Sequence, residues 1–143
     1  MTTRVLLVDD EEAFVDALSK RLTQRGFEVS VAYNGQQAID SIPKEHMPDV
    51  VILDVKMPGM DGIQTLQVIK SKWPLIEVVM LTAFGTVESA IDGLHKGALD
   101  YLLKPCAIEI IVEKIKDAKS KKSAQEMKIA EARALSIALR RGD

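Results

Sequence analysis

The run Val50-Val51-Ile52-Leu53, closed by Asp54, constrains this chain more than any other stretch. Four apolar residues, three of them β-branched, predict a strand covered on both faces, and the run stops at a carboxylate followed by the loop Met57-Pro58-Gly59-Met60-Asp61-Gly62. Such a strand cannot stand alone. Three more short apolar runs offer partners: Val5 to Val8, stopped by Asp9-Asp10; Val78 to Leu81, stopped by Thr82; and Tyr101 to Leu103, stopped by Lys104. If these strands lie parallel, their polar terminators Asp9, Asp10, Asp54, Thr82 and Lys104 converge at one edge of the sheet, where open α/β folds place their ligand sites.

The segments between fit that scheme. After the first strand, residues 4–8, Asp10-Glu11-Glu12 supply negative charge suited to a helix start, and Phe14, Ala17, Leu18 and Leu22 recur at helical spacing until Gly26. Residues 27–32 alternate as a strand ended by the Asn34-Gly35 turn signal, without a charged terminator. A short helix with Ala38, Ile39 and Ile42 on one face ends at Pro43, and a loop through His46 and Pro48 leads to the central strand. Ile63, Leu66 and Ile69 mark a helix that Trp73-Pro74 ends near Lys72, with Trp73 packing at its end. Val87, Ala90, Ile91 and Leu94 mark another, ending at Gly97, before a last strand over 99–103. Five strands alternating with helices predict an α/β fold, a parallel sheet covered on both faces with right-handed crossovers. Putting the strand without a functional terminator at the edge gives the flavodoxin-like order 2-1-3-4-5, which sets Asp9 and Asp10 beside Asp54.

Beyond residue 107, Ile108, Ile111, Val112, Ile115 and Ala118 form one apolar stripe, so the last helix of the domain is expected to reach about Ala118. Lys119 to Lys122 reads as a charged break. The Ala-rich stretch after it lacks a sustained heptad, which divides the chain into a domain over 1–119 and a helical tail or linker over 120–143. Residues 1–107 carry 10 basic and 15 acidic side chains, and 108–143 carry 9 and 6, so an acidic body bears a mildly basic tail. That tail reads as a solvated helix face rather than a nucleic-acid binding element. No apolar run approaches the roughly 20 residues needed to cross a bilayer, and the N-terminus lacks a signal-peptide pattern. A single cysteine, Cys106, excludes an internal disulfide, fits a reducing cytoplasmic setting and reads as a small buried hydrophobe. Two histidines far apart, His46 and His95, argue against a His-based metal site.

Three carboxylates gathered at one edge repel one another unless a positive charge sits among them. Oxygen ligands without supporting His or Cys favour a hard divalent ion such as Mg²⁺, which readily bridges to phosphate. Lys104 adds a point charge suited to a phosphoryl oxygen, Thr82 a hydroxyl, and Asp54 a carboxylate able to act as nucleophile. These are the parts of a phosphoryl-transfer site.

Taken in order, Asp9-Asp10, Pro48-Asp49 through Leu53-Asp54, Met57-Pro58-Gly59-Met60-Asp61-Gly62, Thr82-Ala83 and Tyr101-Leu102-Leu103-Lys104-Pro105 resemble the motifs of a two-component response-regulator receiver domain, over about residues 3–119. The resemblance implies that Asp54 is the phosphoacceptor, and that Asp9 and Asp10 hold Mg²⁺ with Asp54 and the backbone carbonyl of Lys56. It implies further that Thr82 contacts the phosphoryl group, that Lys104 pairs with it after a cis bond to Pro105, and that Tyr101 is an aromatic switch. A sensor histidine kinase or phosphotransfer protein would be the donor. The face built by the fourth helix, fifth strand and last helix would meet the output partner, and the tail would be a linker or a homodimerising helix. Lys56 and Phe84, which flank the site, bear on the lifetime of the phosphorylated state. A metal-dependent phosphatase on a similar scaffold would need a second carboxylate where Lys56 stands, and a cap for substrate. A pseudo-receiver serving only as a binding module would lack one of the acidic or phosphate-contacting residues.

Overall fold

The computed structural model describes residues 2–42 and 47–141. Strands and helices alternate as β1 (Arg4–Val8), α1 (Glu12–Gln24), β2 (Glu28–Ala32), α2 (Gly35–Ser41), β3 (Val50–Leu53), α3 (Gly62–Lys72), β4 (Glu77–Thr82), α4 (Val87–His95), β5 (Asp100–Leu103) and α5 (Ile108–Arg141). The sheet is parallel throughout and runs β2-β1-β3-β4-β5, the order expected from the missing terminator. The expected helix stop at Pro43 and the loop through His46 lie outside the described residues.

Strand periodicity splits the core in two. Leu6, Val8, Val51, Leu53, Val78 and Met80 face Ala38 and Ile42 beside α2 and Leu66 and Ile69 of α3. Val5, Leu7, Val50, Ile52, Val79 and Leu81 face Val15, Leu18 and Leu22 of α1 and Ile108, Ile111 and Ile115 of α5. Both faces of β1, β3 and β4 are therefore apolar, which is why these strands read as unbroken hydrophobic runs, each such side chain contributing about 1.5–3 kcal/mol on burial. Local chemistry sets the helix ends. The Asn34 side chain accepts the Gln37 N–H, so the Asn34-Gly35 signal serves as a helix cap, while Asp61 and Gln64 form a capping box for α3. Gly26 and Gly97, with φ of 92° and 109°, follow α1 and α4 in the conformation that favours glycine.

Helix α5 departs from expectation. It continues without interruption from Ile108 to Arg141, and the charged stretch 119–122 lies inside it. The reason is tertiary. Lys119 and Lys122 reach the Asp49 carboxylate, at 3.0 and 3.3 Å, and Lys121 lies 3.4 Å from Glu77. Asp49 and Glu77 stand at the start of β3 and β4, with Glu77 N–H donating to the Asp49 carbonyl. Glu77 is 1% exposed; its carboxylate makes no hydrogen bond among the described residues and is balanced by Lys121 and by Lys70 at 3.9 Å. Burial pushes the Lys70 amine below its ordinary range, opposed by Glu77. Lysines that look like a break in the stripe thus clamp α5 across the edge of the sheet opposite the terminators. None of the described helices is long and apolar enough to cross a membrane.

Candidate functional site

Parallel register brings the strand ends level. Val8 pairs with Leu53, Leu53 with Met80 and Thr82 with Leu103. Backbone hydrogen bonds continue one residue past each end: Asp9 N–H donates to the Ala32 carbonyl, Asp54 N–H to Val8 and Lys104 N–H to Thr82. The terminators are therefore carried by rigid backbone, even where they belong to loops.

Asp54 is 2% exposed, and its Oδ1 accepts the Val55 N–H at 2.8 Å. Gly62 lies directly beneath. Its N–H donates to the Val55 carbonyl, and a methyl group there would overlap the Asp54 carbonyl oxygen, so only glycine admits this approach. Asp9 is also buried, and its Oδ1 accepts the Glu11 N–H at 2.9 Å, a turn that swings Glu11 back over the sheet edge. Lys104 follows β5 before the cis peptide to Pro105; its Nζ contacts Asp9 at 2.6 Å and Glu11 at 3.2 Å and lies 4.0 Å from the Phe14 ring centroid. Thr82 is fully buried, and its hydroxyl accepts the Phe84 N–H at 3.1 Å.

Asp9, Glu11 and Asp54 each offer a carboxylate oxygen within 4.8 Å of the others. Burial and the charge of Asp54 push the Asp9 carboxyl above its ordinary range, against the hydrogen bonds from Lys104 and the Glu11 N–H. Burial would lower the Lys104 amine, yet the hydrogen bond and charge of Asp9, with Asp54 and Glu11 behind it, raise it. One ammonium among three carboxylates leaves a net negative charge, suited to a further cation.

Asp9, Asp54 and Lys104 come together, and Thr82 ends the strand between those that carry Asp54 and Lys104. Asp10 is exposed and stands outside the group of three carboxylates, where Glu11 is found instead. In the sequence Glu11 reads as helix-start charge, and the only local signal for its place here is an aspartate two residues earlier, a residue type that forms such turns. Lys56 lies in the loop after β3 with its Nζ 4.8 Å from the Phe84 ring centroid, so the two flanking side chains touch across a cleft also lined by Asp10, Glu11, Met57 and Pro58. Tyr101 is half-buried in β5 and packs against the core cluster that contains Met80. Trp73 closes α3 and packs on the same cluster, while Cys106 is half-buried against the other, its thiol pushed up by burial.

An open doubly wound sheet with acids at its topological switch point, and a buried hydroxyl and an ammonium from the next strands along the same edge, has the arrangement of an α/β ligand-binding domain. Residues 5–116 match the family model for the response regulator receiver domain, and the chain belongs to that family. The transcriptional regulatory protein ZraR of Salmonella typhimurium is 40% identical over 114 residues, 80% of this chain and 26% of that protein. The response regulator MprA of Mycobacterium bovis is 35% identical over 116 residues, 81% of this chain and 50% of that protein. The chain thus spans about a quarter to a half of these curated relatives. A CheY-like receiver domain protein from Methanospirillum hungatei superposes with a TM-score of 0.82 at 27% identity, over 87% of this chain and 99% of that one. NtrX from Brucella abortus in complex with ADP gives 0.81 at 28% identity, over 89% of this chain and 29% of that one.

Proposed function

We propose that this receiver domain is a phosphoacceptor switch in which Asp54 takes a phosphoryl group from the phosphohistidine of a sensor kinase or phosphotransfer protein. The observation that carries the reading is the meeting of buried Asp54 and Asp9 with Lys104 at the end of three parallel strands. Val55 N–H fixes Asp54 Oδ1 and so orients Oδ2 for attack. In the transfer an O–P bond forms at Asp54 as the N–P bond of the phosphohistidine breaks, its electron pair returning to the imidazole. Lys104, on Asp9 and Glu11 beforehand, is within reach of the new phosphoryl oxygens. The Thr82 hydroxyl proton is its natural donor to them, because the Thr82 oxygen already accepts from Phe84.

The donor set is all oxygen and carries more negative charge than Lys104 offsets, which fits Mg²⁺. Asp9 and Asp54 would hold it, with Asp10, Glu11 and the Lys56 backbone carbonyl as the remaining oxygen donors at the rim. When bound, the ion supplies neutralisation of the charge that otherwise keeps a phosphoryl group away from the carboxylates. The chain catalyses its own phosphorylation and slow dephosphorylation and turns over no separate substrate. Val87, Ile91 and Leu94 of α4 and Leu103 of β5 are exposed apolar residues on the side expected to meet an output partner. The receiver unit ends near 119 by the apolar stripe, and the contacts of Lys121 and Lys122 support moving that boundary to about residue 122, with the rest of α5 as linker or dimerising helix.

Incubation with a small phosphodonor and Mg²⁺ is expected to add one phosphoryl group, read by intact mass, and Asp54→Asn to abolish it. Labelling that persists in the Asn variant refutes the assignment.

A further inference from the structure

Lys104 has a third partner besides its two carboxylates. Its Nζ stands 4.0 Å from the centroid of the Phe14 ring, too close for a water to lie between, and the lysine side chain is only 10% exposed. Phe14 is the third residue of α1, directly after the turn in which Asp9 Oδ1 accepts the Glu11 N–H. Helical side chains lean toward the N-terminus of their helix, which carries the ring back over that turn to the ammonium. The ring is half-buried against the core cluster of Leu7 and Leu81, so it is held from behind. The contact of Lys56 with Phe84 is different, 4.8 Å long and made by a side chain 57% exposed. A desolvated ammonium gains more from an aromatic face than a hydrated one does.

The three partners are not equivalent. Asp9 and Glu11 are also two of the three acids gathered for a cation. A metal ion held there neutralises the charge on which Lys104 rests and repels the ammonium, whose flexible four-carbon stem lets it swing out to water. The ring face carries no net charge, and a hard ion that keeps its waters does not take it as a ligand. We propose that Phe14 is a positioning residue for Lys104. Its ring keeps the ammonium at the site, shielded from water, when Asp9 and Glu11 are given over to the metal, so the positive charge is in place as the phosphoryl group arrives. This rests on the reading of Asp54 as phosphoacceptor. Because the attraction is to the whole ring face rather than to one atom, Lys104 can slide from Asp9 toward Asp54 without losing it.

Fluorine substitution separates this role from packing, because each fluorine drains the negative face of the ring with little change in its shape. With mono-, di- and trifluorophenylalanine placed at position 14 alone, labelling of Asp54 by acetyl phosphate at saturating Mg²⁺ should slow step by step, about fivefold in all, the size of one partly desolvated cation–π contact. A second measurement needs no phosphoryl transfer. In NMR spectra of lysine-labelled protein, the Lys104 methylene next to Nζ is assigned by its absence from Lys104→Arg. The ring current of Phe14 should shift it upfield, the shift should persist when Mg²⁺ is added, and Phe14→Leu should abolish it. A Lys104 signal that moves to the position of a solvated lysine on adding Mg²⁺ overturns the proposal. Failure of wild-type Asp54 to be labelled sinks the phosphoacceptor reading, whereas a labelled protein with rates level across the fluorine series sinks the positioning role alone.

Discussion

Asp49 offers the sharpest test of how α5 is held. Its Oδ2 accepts the Arg4 N–H at 2.9 Å and its Oδ1 accepts Lys119 Nζ at 3.0 Å, with Lys122 Nζ at 3.3 Å. Asp49→Ala leaves the part-buried Arg4 N–H without its ionised acceptor, a loss of about 1.5–3 kcal/mol. The two lysines keep access to water, and Lys122 also has Glu126 at 3.3 Å, so each adds only about 0.5 kcal/mol. The sum, about 2.5–4 kcal/mol, corresponds to a fall of about 1–2 M in the urea midpoint. Asp49→Asn retains a neutral acceptor for Arg4 and should lose about 1–2 kcal/mol. Acid titration adds a second signature. Burial alone would raise the Asp49 carboxyl, but the Arg4 N–H, then Lys119 and Lys122, hold it below its ordinary value of 3.8. The unfolded chain therefore takes up this proton first as pH falls. The stabilisation is complete above about pH 3.8 and is lost as pH drops through the lower folded value, so the gap between wild type and Asn variant should close in that window. Amide exchange over residues 119–141 should rise in the Ala variant. An unfolding free energy within about 0.5 kcal/mol of wild type, with unchanged exchange in that segment, refutes the clamp.

Two further outcomes test the site itself. Lys104→Ala removes the ammonium from a group of three carboxylates and should slow labelling of Asp54 by a small phosphodonor on the order of a hundredfold, with the fold intact by circular dichroism; a rate near wild type removes Lys104 from the site. Gly62→Ala would drive a methyl group into the Asp54 carbonyl oxygen and Val55 Cα, backbone atoms that cannot step aside without tilting the phosphoacceptor. Urea unfolding should show a loss of about 1–3 kcal/mol together with slower labelling, and an Ala variant matching wild type in both contradicts the packing argument.

Glu11, Ser89 and Lys121 show where the sequence stopped being readable. Glu11 lies next to acids already chosen for the site, and only the turn made by Asp9 decides which of Asp10 and Glu11 bends back over the edge. Ser89 looks like an ordinary helix-start residue, and its hydroxyl lies 2.7 Å from that of Tyr101, 12 positions away on another element. Lys121 interrupts an apolar stripe, which locally argues for an end to the helix; the Glu77 carboxylate beside it is 44 positions earlier in the chain.

By itself the sequence determined the strands, their polar stops and the sheet order, because burial on both faces demands unbroken apolar runs and a parallel sheet puts every stop at one edge. It determined with them that Asp9, Asp54, Thr82 and Lys104 stand at the same edge of the sheet. Tertiary structure alone decided which neighbouring acid joins them, that α5 runs on past Ala118, and what the Tyr101 hydroxyl holds. Periodicity is written in near neighbours along the chain, whereas the partner of a charge or a hydroxyl is whichever group the folded sheet brings within about 3 Å.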